Sequence, residues 1–97
     1  MPERTVTVGS RSGLHARSAK LFVRAASAQP VPVRLRVGDR PAVDARSILA
    51  VLTQRVKQGT EVTLEADGEG AEQVLAALAE LLGRDLDEEG EGARADG

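Results

Sequence analysis

An α+β open-faced β-sandwich is the fold this sequence predicts: a four-stranded antiparallel sheet covered on one face by three helices, in the order βαββαβα. Three observations lead there. Four segments alternate polar and apolar residues, the mark of strands with one face buried and the other in water, an arrangement that antiparallel sheets accommodate. Two segments place apolar residues at helical spacing, and a third short apolar run follows a serine suited to cap a helix. Glycine, proline and Asp-Gly clusters punctuate the chain between these segments.

Arg4-Thr5-Val6-Thr7-Val8 alternates and reads as the first strand. Gly9 to Gly13 is loop. From Ala16 to about Ala28, Ala19, Phe22, Val23 and Ala26 recur at helical spacing, while Arg17, Lys20 and Arg24 share the opposite face. Pro30 and Pro32 end that helix. Val33-Arg34-Leu35-Arg36-Val37 is the clearest strand, and Gly38-Asp39-Arg40 turns the chain into a short strand from Pro41 to Asp44. Its proline suits a sheet edge, where a missing N–H costs no ladder bond. Ser47 caps a short helix, Ile48-Leu49-Ala50-Val51-Leu52. Glu61 to Ala66 alternates again as the fourth strand, and Ala71 to about Gly83 carries Val74, Leu75, Leu78, Leu81 and Leu82 at helical spacing.

The 97 residues suffice for one domain, assigned to residues 1–83, with 84–97 as an acidic, glycine-rich tail expected to be disordered. Phe22 is the only aromatic residue, so the core must be aliphatic. The tail carries six acids and two bases, which leaves the body net +2 within an overall charge of −2. A mildly basic body suits an acidic protein partner or a phosphate group. It is too weak in charge, and too poor in aromatics for base stacking, to suggest nucleic acid. The lack of cysteine fits a reducing cytoplasm and rules out disulfides and thiolate metal sites. No apolar run approaches a membrane span and the first ten residues lack a signal-peptide core, so a cytoplasmic protein without membrane attachment is expected.

Chemistry concentrates in Ser10-Arg11-Ser12-Gly13-Leu14-His15-Ala16-Arg17-Ser18-Ala19, which holds the only histidine. A turn that hands over to a helix at a histidine sets a nucleophilic ring nitrogen beside unpaired backbone N–H groups, a natural anion site. A phosphoryl group on that nitrogen could be held by the amides near Ala16 and Arg17 and by the Arg17 guanidinium. Such a site would carry the group rather than hydrolyse it, with no general base beside it and no metal cluster. Spacing alone leaves an ordinary helix cap as the other reading.

Gly13-Leu14-His15-Ala16-Arg17-Ser18-Ala19 resembles the active-site motif of the HPr family, the histidine phosphocarriers of the bacterial phosphoenolpyruvate:sugar phosphotransferase system. Arg46-Ser47-Ile48-Leu49 resembles the family's regulatory-serine segment, and Lys57-Gln58-Gly59-Thr60-Glu61-Val62 its following loop and strand. The likeness runs from about Thr5 to Leu82. It implies a carrier rather than an enzyme in its own right, needing no cofactor. His15 would be phosphorylated on Nδ1 by phospho-enzyme I and would pass the group to enzyme IIA domains. Arg17 and the first-turn amides of Ala16, Arg17 and Ser18 would hold the phosphoryl group, with Ser12 adding a hydrogen bond. Ser47 would be the site of HPr kinase/phosphorylase, and Lys20, Arg24, Ile48, Leu49 and Gln54 would face partners. The resemblance suggests a monomer that docks transiently. A regulatory binding module switched at Ser47, or a carrier dedicated to a non-sugar branch, is the alternative.

Three positions depart from the family pattern. Ser18 stands where proline is usual, and is expected to restore an N–H and loosen the first turn slightly. Arg55 stands where glycine is usual close to the site, a long cation expected either to strengthen the phosphate site or to obstruct partner docking. Gln54 replaces a commonly apolar residue on the partner-facing patch.

Overall fold

The computed structural model describes residues 2–9 and 13–84. Seven elements follow one another: β1 (Glu3–Thr7), α1 (Ala16–Ser27), β2 (Val33–Val37), β3 (Val43–Asp44), α2 (Ile48–Thr53), β4 (Glu61–Ala66) and α3 (Ala71–Gly83). The strands form one antiparallel sheet in the order β1-β4-β2-β3. The expected fold class and element order are therefore observed.

Register explains the two faces. Val6, Val62 and Val37 lie side by side, as do Leu64, Leu35 and Val43, and these rows supply the apolar face under the helices. The alternate rows face water. Thr5 and Thr63 meet hydroxyl to hydroxyl at 3.0 Å, and Glu3 and Glu65, directly opposite one another, are bridged by Arg36 at 4.0 and 2.5 Å. Like charges across a strand pair repel, and the guanidinium between them relieves it. The core is aliphatic apart from Phe22, which is fully buried with Leu35, Leu64, Leu78 and Leu82. α3 lies along β1 and β4, and α1 packs beside both α2 and α3.

Two boundaries differ from the sequence reading. β3 contains only Val43 and Asp44 rather than beginning at Pro41. Pro41 has no N–H to give a ladder, and the Ala42 carbonyl accepts from the Arg34 guanidinium at 3.3 Å. β1 runs from Glu3 to Thr7 and leaves Val8 outside the ladder; the Val8 amide bonds instead to the Thr60 carbonyl at 3.0 Å. β3 does occupy the sheet edge that its proline suggested. The assigned tail lies, beyond Arg84, outside the described residues.

The chain leaving β1 is fastened to the end of α3. The Gly9 amide donates to the Leu82 carbonyl at 2.9 Å, and the backbone of Gly83 approaches so closely that a Cβ on Gly9 would overlap the Gly83 carbonyl. Gly9→Ala is therefore expected to destabilise the protein by about 2 kcal/mol, the usual scale for forcing an extra carbon into filled space. Urea unfolding of the purified variant checks this.

Candidate functional site

His15 is the N-cap of α1, with extended backbone angles (φ −115°, ψ −170°). Its ring does the capping: Nδ1 accepts the Arg17 amide hydrogen at 3.2 Å. An acceptor Nδ1 carries no proton, so its lone pair points at the open amides of the first turn. The first helical bond, from Ala19 N to the His15 carbonyl, closes at 2.7 Å. Among the first-turn residues there is no acid. No acidic side chain of the first turn therefore offsets the positive end of the helix dipole where the ring sits.

Ser18 completes a capping box in which histidine takes the usual cap role. Its hydroxyl accepts from His15 N at 3.1 Å and donates to the Gly13 carbonyl at 2.6 Å, and the residue is 0% exposed. The expectation that Ser18 loosens the turn is corrected by these two bonds. The restored amide matters less than the hydroxyl, which cross-links the turn to the helix. The signal in the sequence was a small hydroxyl side chain three residues after a cap, but its second partner depends on how Gly13 folds.

Gly13 adopts φ +68°, and a Cβ there would overlap the Val56 carbonyl. The next residue uses that carbonyl: Leu14 N donates to Val56 O at 2.9 Å. The turn before His15 is thereby docked on the segment leaving α2. Arg55, adjacent to Val56, is exposed and takes φ +52°. This left-handed conformation reverses the chain after α2 and costs a non-glycine residue about 1 kcal/mol. Arg55 thus stands on the segment that braces the His15 turn. Arg17, Lys20 and Arg24 are exposed along α1, and among the described residues no carboxylate pairs with them. Ala16 is exposed at the helix start. Ser12 lies outside the described residues.

Ser47 caps α2, its hydroxyl accepting from Ala50 N at 3.3 Å. Ile48 is half-buried against the core, and Leu49 projects outward at 74% exposure. Gln54 does not join them on the surface, contrary to the sequence reading. It is 8% exposed, its carbonyl oxygen Oε1 is buried without a partner, and its Nε2 reaches only the Thr53 hydroxyl at 3.4 Å. Gln54 ends α2 in helical conformation, three residues after buried Val51 and on the same face, which turns it inward; the Arg40 guanidinium fixes its backbone carbonyl at 2.7 Å.

An antiparallel open-faced sandwich whose first helix is capped by a histidine ring, with an arginine two residues on, defines the class of HPr-like phosphocarrier domains. The family model described as "PTS HPr component phosphorylation site" matches residues 2–84. The chain belongs to the HPr family of the phosphotransferase system. It is 49% identical over 88 residues to the phosphocarrier protein HPr of Streptomyces coelicolor, which covers 91% of this chain and 95% of that protein. The crystal structure of an HPr from Bacillus anthracis superposes with a TM-score of 0.78 at 31% identity, covering 84% of this chain and 95% of that one. The HPr-C-His structure from Thermoanaerobacter tengcongensis gives 0.77 at 36% identity, over 84% and 91%.

The stranded Gln54 oxygen carries a stability prediction. Gln54→Leu replaces a buried, unpaired carbonyl with an apolar group of similar size, and should stabilise the fold by about 1–2 kcal/mol. The midpoint of urea unfolding should rise accordingly.

Proposed function

We propose that the protein carries a phosphoryl group on His15 Nδ1, taking it from phospho-enzyme I and delivering it to enzyme IIA domains. The observation that carries this reading is the ring geometry: Nδ1 accepts the first-turn amide of Arg17, whose residue follows two positions after the histidine. The lone pair attacks phosphorus without a base to free it. The Arg17 amide then turns from the ring and, with the Ala16 amide, meets the phosphoryl oxygens, where the helix dipole and the guanidinium favour the negative charge. Because the P–N bond is made and broken at a ring nitrogen, the step runs in either direction and suits a carrier rather than a hydrolase.

Around this centre the remaining groups take supporting roles. Arg55 supplies a second cation from the segment under the His15 turn. Lys20 and Arg24 extend the basic face toward an acidic partner, and Leu49 with Ile48 gives that partner an apolar contact. Ser47 is the regulatory position: a phosphate added there by HPr kinase/phosphorylase would sit at a helix start that tolerates an anion, and would repel an acidic docking surface. The protein acts in the cytoplasm as a monomer that docks transiently. No described helix is long and apolar enough to cross a membrane.

Incubation with phosphoenolpyruvate, Mg²⁺ and enzyme I should produce an acid-labile phosphate that is absent in His15→Ala. No label with the cognate enzyme I would overturn phospho-enzyme I as the donor, and no label on His15 from any donor would overturn the carrier reading. Arg17→Ala should retain the fold and slow transfer roughly 100-fold, the scale for losing one preorganised charge-stabilising donor. For docking, the double reversal Lys20→Glu, Arg24→Glu should slow association with enzyme I and flatten its salt dependence. Stopped-flow transfer measured at several ionic strengths tests that.

A further inference from the structure

We propose that the Ser18 hydroxyl is a positioning group for the phosphorylated state: it holds the helix cap in place when phosphorylation consumes the cap made by the His15 ring. This inference rests on the carrier reading above.

Beside the first helical bond, from Ala19 N to the His15 carbonyl at 2.7 Å, two ties that use a side chain join His15 to the first turn of α1. One is made by the ring, whose Nδ1 accepts from Arg17 N at 3.2 Å. The other is made by the main chain, whose His15 N donates to Ser18 Oγ at 3.1 Å while the hydroxyl proton goes to the Gly13 carbonyl at 2.6 Å. Phosphoryl transfer treats them differently. The P–Nδ1 bond forms from the ring's lone pair as the bond between phosphorus and the donor breaks, and the electron pair of that broken bond stays with the donor. Nδ1 then has nothing left to offer the Arg17 amide. The main-chain tie is untouched, because both of its partners are backbone groups and the serine is fully buried.

The hydroxyl therefore remains as the link that fixes residues 13–15 against the helix while the amides change acceptor. Fixed backbone is what lets those amides meet the phosphoryl oxygens without reordering the turn. No apolar side chain, and no proline, can make either bond at position 18. Removing the hydroxyl weakens both states by leaving His15 N and the Gly13 carbonyl short of a partner. The loss is larger in the phosphorylated state, where the ring tie has already gone. By linkage, that difference appears in full as a change in the phosphorylation equilibrium.

The test uses potassium phosphoramidate, a small donor that needs no partner protein; its P–N bond breaks and ammonia leaves as His15 is phosphorylated. Wild type, Ser18→Ala and Ser18→Thr are labelled, followed by ³¹P NMR, and unfolded in urea in both states. Ser18→Ala should lose more stability when phosphorylated than when free. Its phosphorylation equilibrium should fall about fivefold, the equivalent of one net hydrogen bond. Ser18→Thr keeps the hydroxyl but adds a methyl to a filled site, so both of its states should lose equally and its equilibrium should stay at the wild-type value. A measurement on wild type alone stands beside these. On phosphorylation the His15 amide should keep its protection from exchange while the Arg17 amide resonance moves.

Equal losses in both states of Ser18→Ala, or a His15 amide that loses protection on phosphorylation, would overturn the inference alone. Failure of wild-type His15 to take phosphate from either donor would overturn the carrier reading, and this inference with it. Labelling by phosphoramidate but not by enzyme I, with the Ser18 differences as stated, would support this inference and overturn only the assignment of the donor.

Discussion

The site depends on one backbone hydrogen bond, from Leu14 N to the Val56 carbonyl at 2.9 Å. It joins two segments far apart in sequence, the turn entering α1 and the chain leaving α2. Its geometry demands that Gly13 have no side chain, since a Cβ would occupy the space of the same carbonyl. This contact seats the turn before His15 on the segment that carries Arg55 and leaves α2, which packs beside α1. The fastening of Gly9 to the end of α3 fixes the other end of the same connection. The two anchors bracket the residues that lead into the histidine.

Much of the fold was legible because its signals are local. β2, β4 and α3 fall where alternation and helical spacing put them, since each face of those elements meets a single environment along its whole length. The short β3 was misjudged because its length is decided by a tertiary bond, the Arg34 guanidinium on the Ala42 carbonyl. Within the site, the place of His15 at the start of α1 was legible from the turn that hands over to a helix. The direction of Gln54 was misread because the helical face it shares with buried Val51 was set aside in favour of its polarity. Ser18 was misread for another reason. Its hydroxyl bonds a carbonyl five residues earlier, and only the positive φ of Gly13 brings that carbonyl within reach.

Charge is distributed in keeping with these anchors. On the open face of the sheet, Arg36 lies between Glu65 and Glu3, and at the end of β3 Arg46 lies beside Asp44, whereas Arg34 reaches the Ala42 carbonyl. Such surface pairs contribute little stability. Along α1, by contrast, Arg17, Lys20 and Arg24 have no carboxylate partner among the described residues. The potential of the described body therefore rises toward the start of α1, where the helix dipole already adds positive character. On the proposed reading, an anionic partner approaching that face is steered toward the start of α1.

A helix capped by its own nucleophile carries a physical consequence beyond reactivity. In most helices the cap is a serine or aspartate whose only task is to satisfy amides. Here the same lone pair serves both tasks, so it cannot perform chemistry while it caps. On the proposed reading, a charged oxygen replaces the ring nitrogen as acceptor each time the group arrives, and the reverse happens each time it leaves. The first turn of α1 thus alternates between two acceptors of different charge while its main chain stays anchored through Ser18 and Leu14. The change presented to a partner is then one of charge and local acceptor geometry on a fixed scaffold. A small carrier that must serve both a donor and an acceptor through one surface is suited by such an arrangement, because the backbone both partners would contact does not need to refold between encounters.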